Sequence, residues 1–363
     1  MTGLLEDSAA RRTFHTLDGL RGVAAIAIVL FHKQWFSPLE LPSAYLAVDL
    51  FFMISGIVIA HSYDAKLRSG MGAATFFLIR WIRLLPIYLV GWAIGAGVIA
   101  IGLAIGLSRS WTWSRFLSEA LISAFMLPNF LPSPSQFLYP FNSPLWSLFW
   151  ELVINVAYAL LLPWLGARAL CGIVIISALG VIAVAASAGT LNVGVEWIGW
   201  LAGFTRVAFS FSLGVLLIRL SSSTTPHRTV PIPPSALMAV AVAIFAFPGS
   251  LGWINDVVCV LIAFPMIAAL AIHTRPRMMH LYTFLGLVSY PIFAVHDAIP
   301  TARLTEVLLP HMGTGARPAI EVFLFCGLLV ASWILARWFD PPARQFLSRI
   351  ILRRSLRSES AMS

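Results

Sequence analysis

Ten stretches of this chain are apolar over nearly the length of about 20 residues that a helix needs to cross a bilayer, at 18–36, 44–62, 84–107, 144–165, 169–189, 196–219, 235–248, 253–273, 283–299 and 318–338. They leave few options. Of 363 residues, 59% are hydrophobic and only 11% charged, whereas soluble domains carry about 25% charged residues. So few ions could not solvate a globule of this size, and so much apolar surface excludes a disordered chain. The alternating strands of about 10 residues that mark an outer-membrane barrel are not found. The expected fold is an all-α polytopic membrane protein with ten transmembrane helices in one bundle. Residues 1–17 form a cytoplasmic N-terminal segment, 18–339 the membrane domain and 340–363 a basic cytoplasmic tail. The stretch 117–129 is too short to span, and four prolines follow within 131–144. Residues 108–143 therefore read as one non-spanning excursion.

The net charge of +9 raises nucleic acid as a partner, but its distribution excludes that. With both termini inside, the inner segments hold sixteen Lys and Arg and the outer segments five, as the positive-inside rule requires of a multi-pass protein of the cytoplasmic membrane. The Arg- and Ser-rich tail would lie on the anionic inner leaflet or stay disordered. The polar start argues against a cleavable signal peptide. Cys171, Cys259 and Cys326 sit singly in apolar segments and read as packing residues, not as disulfides or metal ligands; no metal is expected.

Ionisable groups inside spans are costly unless paired, so each is a functional candidate. Arg21 and His32 lie eleven residues apart on the first span, close to three helical turns, so they share a face about 16 Å apart along the axis. Asp49 in the second span falls at the depth of His32, where a carboxylate can fix the ring's tautomer. Ser55-Gly56 reads as a close-packing position. Glu151 lies about two turns into the fourth span. Arg206 sits near mid-depth of the sixth, and the span 283–299 ends in SYPIFAVHD with His296 and Asp297. These groups are expected to converge in the outer half and middle of the bundle, as a structural ion network, a reaction chamber or a transport path. On the inner side, FFLIRWIRLLP puts Arg80 and Arg83 on one helical face ahead of Pro86, expected to turn or kink the chain into the membrane. An interfacial amphipathic helix accounts for that pattern; so does a fork for phosphate. Without a glycine-rich phosphate loop, an ATP-driven machine is not expected.

In order along the chain stand LDGLRGVAAIAIVLFH (17–32), VDLFFMISG (48–56), RWIRLLP (80–86), WSLFWELVINVAY (146–158), RVAFSFSLG (206–214) and LGLVSYPIFAVH (285–296). Together these blocks resemble the bacterial acyltransferase-3 family of integral membrane O-acyltransferases, over about residues 17 to 340. The resemblance implies an acyl-CoA donor bound from the cytoplasm, often acetyl-CoA. It implies sugar-containing acceptors such as surface polysaccharides and, in some actinobacterial members, macrolides. His32 matches the family's catalytic histidine. Arg21, Arg80 and Arg83 match its basic donor motifs, and Asp49 and Glu151 its acidic positions. Two departures stand out. No extracytoplasmic hydrolase-like domain of the kind some members carry is expected, and Asp340-Pro341-Pro342 stands where a glutamate should precede proline, which weakens any role for Asp340.

Both lines lead to one expected mechanism. Arg80, Arg83 and Arg21 hold the phosphates of CoA, and His32 takes the proton of an acceptor hydroxyl. Asp49 or Glu151 orients His32, and Arg206 stabilises charge developing on the carbonyl oxygen. The competing class is a secondary transporter or exporter whose buried ions form a proton relay, although no internal repeat supports it. A non-catalytic scaffold ranks last, because buried ions are expensive for a protein that needs only shape.

Overall fold

The computed structural model of the chain describes residues 14–32, 41–107, 110–130, 136–223, 229–249, 251–299 and 316–362. Among these the architecture is helical. The principal helices are α1 (His15–His32), α2 (Ala47–Arg68), α3 (Ala73–Ala104), α4 (Trp113–Ala124), α5 (Trp146–Leu161), α6 (Ala167–Ala188) and α7 (Trp200–Ser223). There follow α8 (Pro234–Ala246), α9 (Trp253–Val258), α10 (Phe264–Ile272), α11 (Met279–Val295), α12 (Arg317–Ile334) and α13 (Asp340–Met362). π-helical turns at Cys259–Ala263 and Leu335–Phe339 join α9 to α10 and α12 to α13.

A helix occupies each of the ten expected stretches, but seven helical segments are long and apolar enough to cross a membrane. Two more, Pro234–Ala246 and Met279–Val295, are apolar but shorter. The remaining one, α1, has 18 residues and carries Asp18, Arg21 and His32. A helical, multi-pass membrane protein follows; ten is a count of helices at the expected places rather than of crossings. The excursion 108–143 holds the short helix α4, whose N-terminus is capped by the Thr112 hydroxyl accepting from the Arg115 amide. Its far end rests on α3, where the Tyr88 hydroxyl donates to the Ser123 carbonyl and the Trp92 indole to the Ser123 hydroxyl.

Two expectations are corrected. The segment bearing Arg80 and Arg83 is not a separate interfacial helix turned at Pro86. α3 is one rod of 32 residues with Pro86 inside it, about 48 Å long at ~1.5 Å per residue, against a hydrocarbon core of about 30 Å. A proline removes one hydrogen bond from the ladder, and packing carries the helix through that gap. Leu84, Leu85, Ile87 and Tyr88 are all buried, and the Tyr290 hydroxyl donates to the Leu84 carbonyl in the same turn. Nor does residue 340 begin a detached tail: Arg317–Leu352 is one continuous helical run of 36 residues. Pro341 and Pro342 fall in the first turn of α13, directly after the π turn, where missing amide protons cost least. Asp340 is buried there between Arg83 and Arg344.

Two helix pairs set the frame. α1 packs along α11, and α2 along α7. In the second pair the backbones nearly touch: a Cβ on Gly56 would lie 2.1 Å from the Phe211 carbonyl oxygen, and one on Gly214 2.1 Å from that of Met53. Gly56→Ala is therefore expected to lower stability by about 1–3 kcal/mol through overpacking, read as a fall in melting temperature in detergent. Gly97→Ala, whose added methyl meets nothing within 4 Å, should leave the melting temperature unchanged or raise it.

Candidate active site

Five helices converge on a cavity of about 180 Å³. α1 brings Arg21, α2 brings Ser55, α3 brings Arg80 and Arg83, α5 brings Glu151, and α11 brings Tyr290 and Phe293. A water needs roughly 10–15 Å³ on the same scale, so the space suits the slender part of a ligand and not a bulky one. Its charge is unbalanced. Arg80 Nη2 donates to Glu151 Oε1 at 2.9 Å, and the Ser55 hydroxyl donates to the same oxygen at 2.6 Å. Arg83 Nη1 lies 3.4 Å from Asp340 Oδ2, but Arg344 holds that oxygen more closely, at 2.5 Å. Arg21 makes no ion pair or hydrogen bond among the described residues, and Arg80 Nε is buried without a partner. Three guanidiniums thus face Glu151 and a shared Asp340, leaving donors free for an anion. The Arg83 side chain is 40% exposed against 15% for Arg80, which puts Arg83 at the mouth and Arg80 deeper.

The other expected site residues fall elsewhere. His32, Asp49 and Arg206 do not line this cavity. Asp49 does not orient His32: its carboxylate is held by Arg206, with Nη2–Oδ2 at 2.5 Å and Nε within 3.3 Å of both oxygens. Arg206 also donates to the Val193 carbonyl at 3.0 Å and the Tyr45 carbonyl at 3.2 Å. Nor does Glu151 orient His32, since Arg80 and Ser55 occupy it. A buried arginine and a buried carboxylate capture each other whenever they can, because either alone is costly. With its donors spent on Asp49 and on backbone carbonyls, Arg206 is no free group for a reacting oxygen. The single chamber expected from the sequence is therefore divided into a basic cavity, a buried Asp49–Arg206 pair, and a histidine pair.

That pair is His32 and His296. Their rings lie 5.0 Å apart between centroids, and His296 Nε2 is 3.4 Å from His32 Nδ1. His32 ends α1 and is exposed; His296 follows α11 and is buried. Next to it, Asp297 accepts from the Ser143 hydroxyl at 2.9 Å. Phe293 links the two places: it lines the basic cavity, and its ring lies 6.0 Å from that of His296. Sequence reasoning left His296 without a partner, read Ser55 only as packing, and weakened Asp340. Tyr290 and Arg344 were missed altogether. The one available signal was SYPIFAVH itself, which places Tyr290 and Phe293 on the helix that ends at His296.

A family model described as an acyltransferase domain matches residues 14–337. The chain belongs to the acyltransferase-3 family. Acyl transfer is accordingly its enzyme class, and relatives bear similar names. It is 40% identical to "Protein 2 in picA locus" of Rhizobium radiobacter over 164 residues, 43% of this chain and 84% of that protein. It is 31% identical to the acyltransferase MdmB of Streptomyces mycarofaciens over 157 residues, 40% of this chain and 38% of that one. A putative O-acetyltransferase of Staphylococcus aureus is 28% identical over 159 residues, 40% of this chain and 24% of the relative. The chain thus spans well under half of the acyltransferases it matches by name. No solved structure matches it.

Within this acyltransferase-3 framework, Asp49 and Arg206 join α2 to α7 away from the basic cavity. Asp49→Ala and Arg206→Ala should each cost about 3–5 kcal/mol, since each leaves an uncompensated buried charge. Replacing both residues with apolar ones of similar volume should cost less than either single change. Melting of the purified variants in detergent checks the order, and a double variant less stable than both singles would refute it.

Proposed function

We propose that this multi-pass membrane acyltransferase moves an acyl group, acetyl in the simplest case, from cytoplasmic acyl-CoA to a hydroxyl of a sugar-containing acceptor, with His32 as general base. The observation that carries the proposal is the guanidinium of Arg21, without an ion pair among the described residues and facing the same cavity as Arg80 and Arg83 on the helix that ends in His32. An arginine left unmatched inside a bundle favours an anionic ligand, and guanidinium forks suit phosphate oxygens.

Charge and size suggest how the donor lies. Arg83 at the mouth, then Arg80 and Arg21, take up phosphate charge, while the nucleotide is too bulky for a cavity of about 180 Å³ and stays at the rim. The thin pantetheine arm runs inward past Phe51 and Phe293, whose rings are 5.7 Å apart. Along α1, His32 stands about 16 Å beyond Arg21, so the arm delivers the thioester to the histidine end. There His32 accepts the proton of the acceptor hydroxyl as the oxygen attacks the carbonyl. Asp49 and Arg206 contribute by fixing the frame around Tyr45 and Val193. Surface polysaccharides and other glycans are the acceptor class, and the inner membrane, with both termini cytoplasmic, is the setting that the charge asymmetry favours.

Membranes supplied with labelled acyl-CoA test the proposal. His32→Ala should lower acyl transfer at least 10²-fold, the low end of what general-base catalysis contributes. Wild-type turnover by a folded His32→Ala protein would remove His32 from the chemistry. The double variant Arg80→Ala with Arg83→Ala should raise the donor KM about tenfold or more, since a hydrogen bond to a charged group contributes about 1.5–3 kcal/mol. An unchanged donor KM would refute the phosphate role. Comparing envelope glycans by mass spectrometry with and without the protein would then identify the acceptor.

A further inference from the structure

We infer that His296 is the positioning residue for His32. Its Nε2 accepts from His32 Nδ1 and favours the Nδ1–H tautomer, so that His32 Nε2 is the atom that takes the acceptor's proton. This inference rests on the proposed role of His32 as base and adds the partner that makes the ring competent.

Proton positions can be assigned from the acceptors that each nitrogen faces. His296 Nδ1 lies 2.8 Å from the Phe293 carbonyl oxygen and 3.2 Å from that of Ile292. A nitrogen between two carbonyls must donate, so His296 carries its proton on Nδ1, and Nε2 of the neutral ring is an acceptor. His32 Nδ1 lies 3.0 Å from the Ile28 carbonyl oxygen, so it too is placed to donate. It faces His296 Nε2 at 3.4 Å, which makes its N–H a donor shared between a carbonyl and an imidazole lone pair. The proton on His32 is thereby confined to Nδ1, and the lone pair of the neutral ring is on Nε2. The same donor nitrogen serves both protonation states. When Nε2 accepts a proton, the imidazolium keeps its Nδ1–H on Ile28 and His296, and the 3.4 Å contact has room to shorten.

A carboxylate commonly fills this place behind a catalytic histidine. Here the acids expected to do so are committed to arginines, and an imidazole stands instead. The frame keeps it there. His296 is 1% exposed, α1 and α11 pack along each other, and their spacing is fixed by two glycines. A Cβ on Gly22 would lie 2.4 Å from Leu285 Cβ, and one on Gly286 2.6 Å from Asp18 Cβ.

The step balances without another reactant. The acceptor oxygen bonds to the thioester carbonyl carbon and passes its proton to His32 Nε2. The C–S bond breaks, and the departing thiolate takes that proton from Nε2. His32 returns to the Nδ1–H tautomer, and His296 never changes its protonation.

Two measurements on the full-length protein in detergent test this. The first is ¹⁵N NMR of histidine-labelled protein, with the His32 signals assigned by their loss in His32→Ala. The expected result is the Nδ1–H tautomer in the wild type, shifting to a mixture in His296→Leu. A wild-type ring protonated on Nε2 would overturn the inference. The second is kinetic. His296→Leu, which has no acceptor, should lower kcat on the order of 10²-fold with the donor KM unchanged. His296→Gln, whose amide oxygen can accept from His32 Nδ1, should stay within tenfold of the wild type. Equal losses in the two variants, or a change confined to donor KM, would equally overturn it. Wild-type turnover by His32→Ala would defeat the base assignment alone, leaving the tautomer result to judge the pair.

Discussion

The cost of an unpaired charge inside an apolar bundle organises this molecule. Arg206 and Asp49, both almost fully buried, satisfy each other, and Arg206 spends its remaining donors on the carbonyls of Tyr45 and Val193. That one guanidinium therefore ties α7 to α2, to the turn before α2 and to the segment before α7. Further out, Asp256 accepts from the Tyr45 hydroxyl at 2.7 Å, from Thr190 at 3.1 Å and from the Leu191 amide at 2.7 Å. At the other end of α2, Asp64 pairs with Arg219 at 2.9 Å and accepts from the Tyr158 hydroxyl. Against such pairing, Arg21 has no ion-pair partner among the described residues, which is why it anchors the proposed donor site.

The sequence made the class of fold legible because a bilayer imposes length and composition directly: apolar runs of bilayer length are hard to mistake. It also identified which ionisable residues lie inside the bundle. Who pairs with whom was less accessible. Asp49 and His32 share a depth, but depth along an axis does not say which way a side chain points around it. Arg206 offers the carboxylate several charged donors at once, whereas an imidazole offers one from each nitrogen. Likewise Pro86 read as a boundary because local propensity is all that a sequence displays; the packing of Leu84, Leu85 and Tyr88, which carries the helix past it, comes from other segments. Arg344 and Asp340 escaped for a related reason. Their charges belong to a stretch that looks like a solvated tail until α13 is seen to continue α12.

That continuation matters for the cavity. Because Asp340 is anchored by Arg344 one turn along α13, it meets Arg83 only at 3.4 Å. Arg83 is thus loosely neutralised; in the proposed donor site it is close enough to an acid to be tolerated at the mouth and loosely enough held to exchange that acid for a phosphate. A tighter Arg83–Asp340 bond would compete with the donor; no acid at all would leave Arg83 facing Arg80 and Arg21 with nothing to offset the repulsion. The acid expected as a glutamate is shorter by one methylene, which fits a partner that reaches Arg83 without gripping it.

The division of the polar residues into separate places has a chemical consequence. In the proposed mechanism, the base stands apart from the three arginines that take up the donor's charge. His32 lies about 16 Å along α1 from Arg21, and Phe293, which lines the cavity, faces His296 with ring centroids 6.0 Å apart. Donor binding and proton transfer, as proposed, then fall at the two ends of one helix, α1. The same helix fixes the distance a donor must span. On the proposed mechanism, the spacing of Arg21 and His32 favours a donor with a charged head and a long neutral arm.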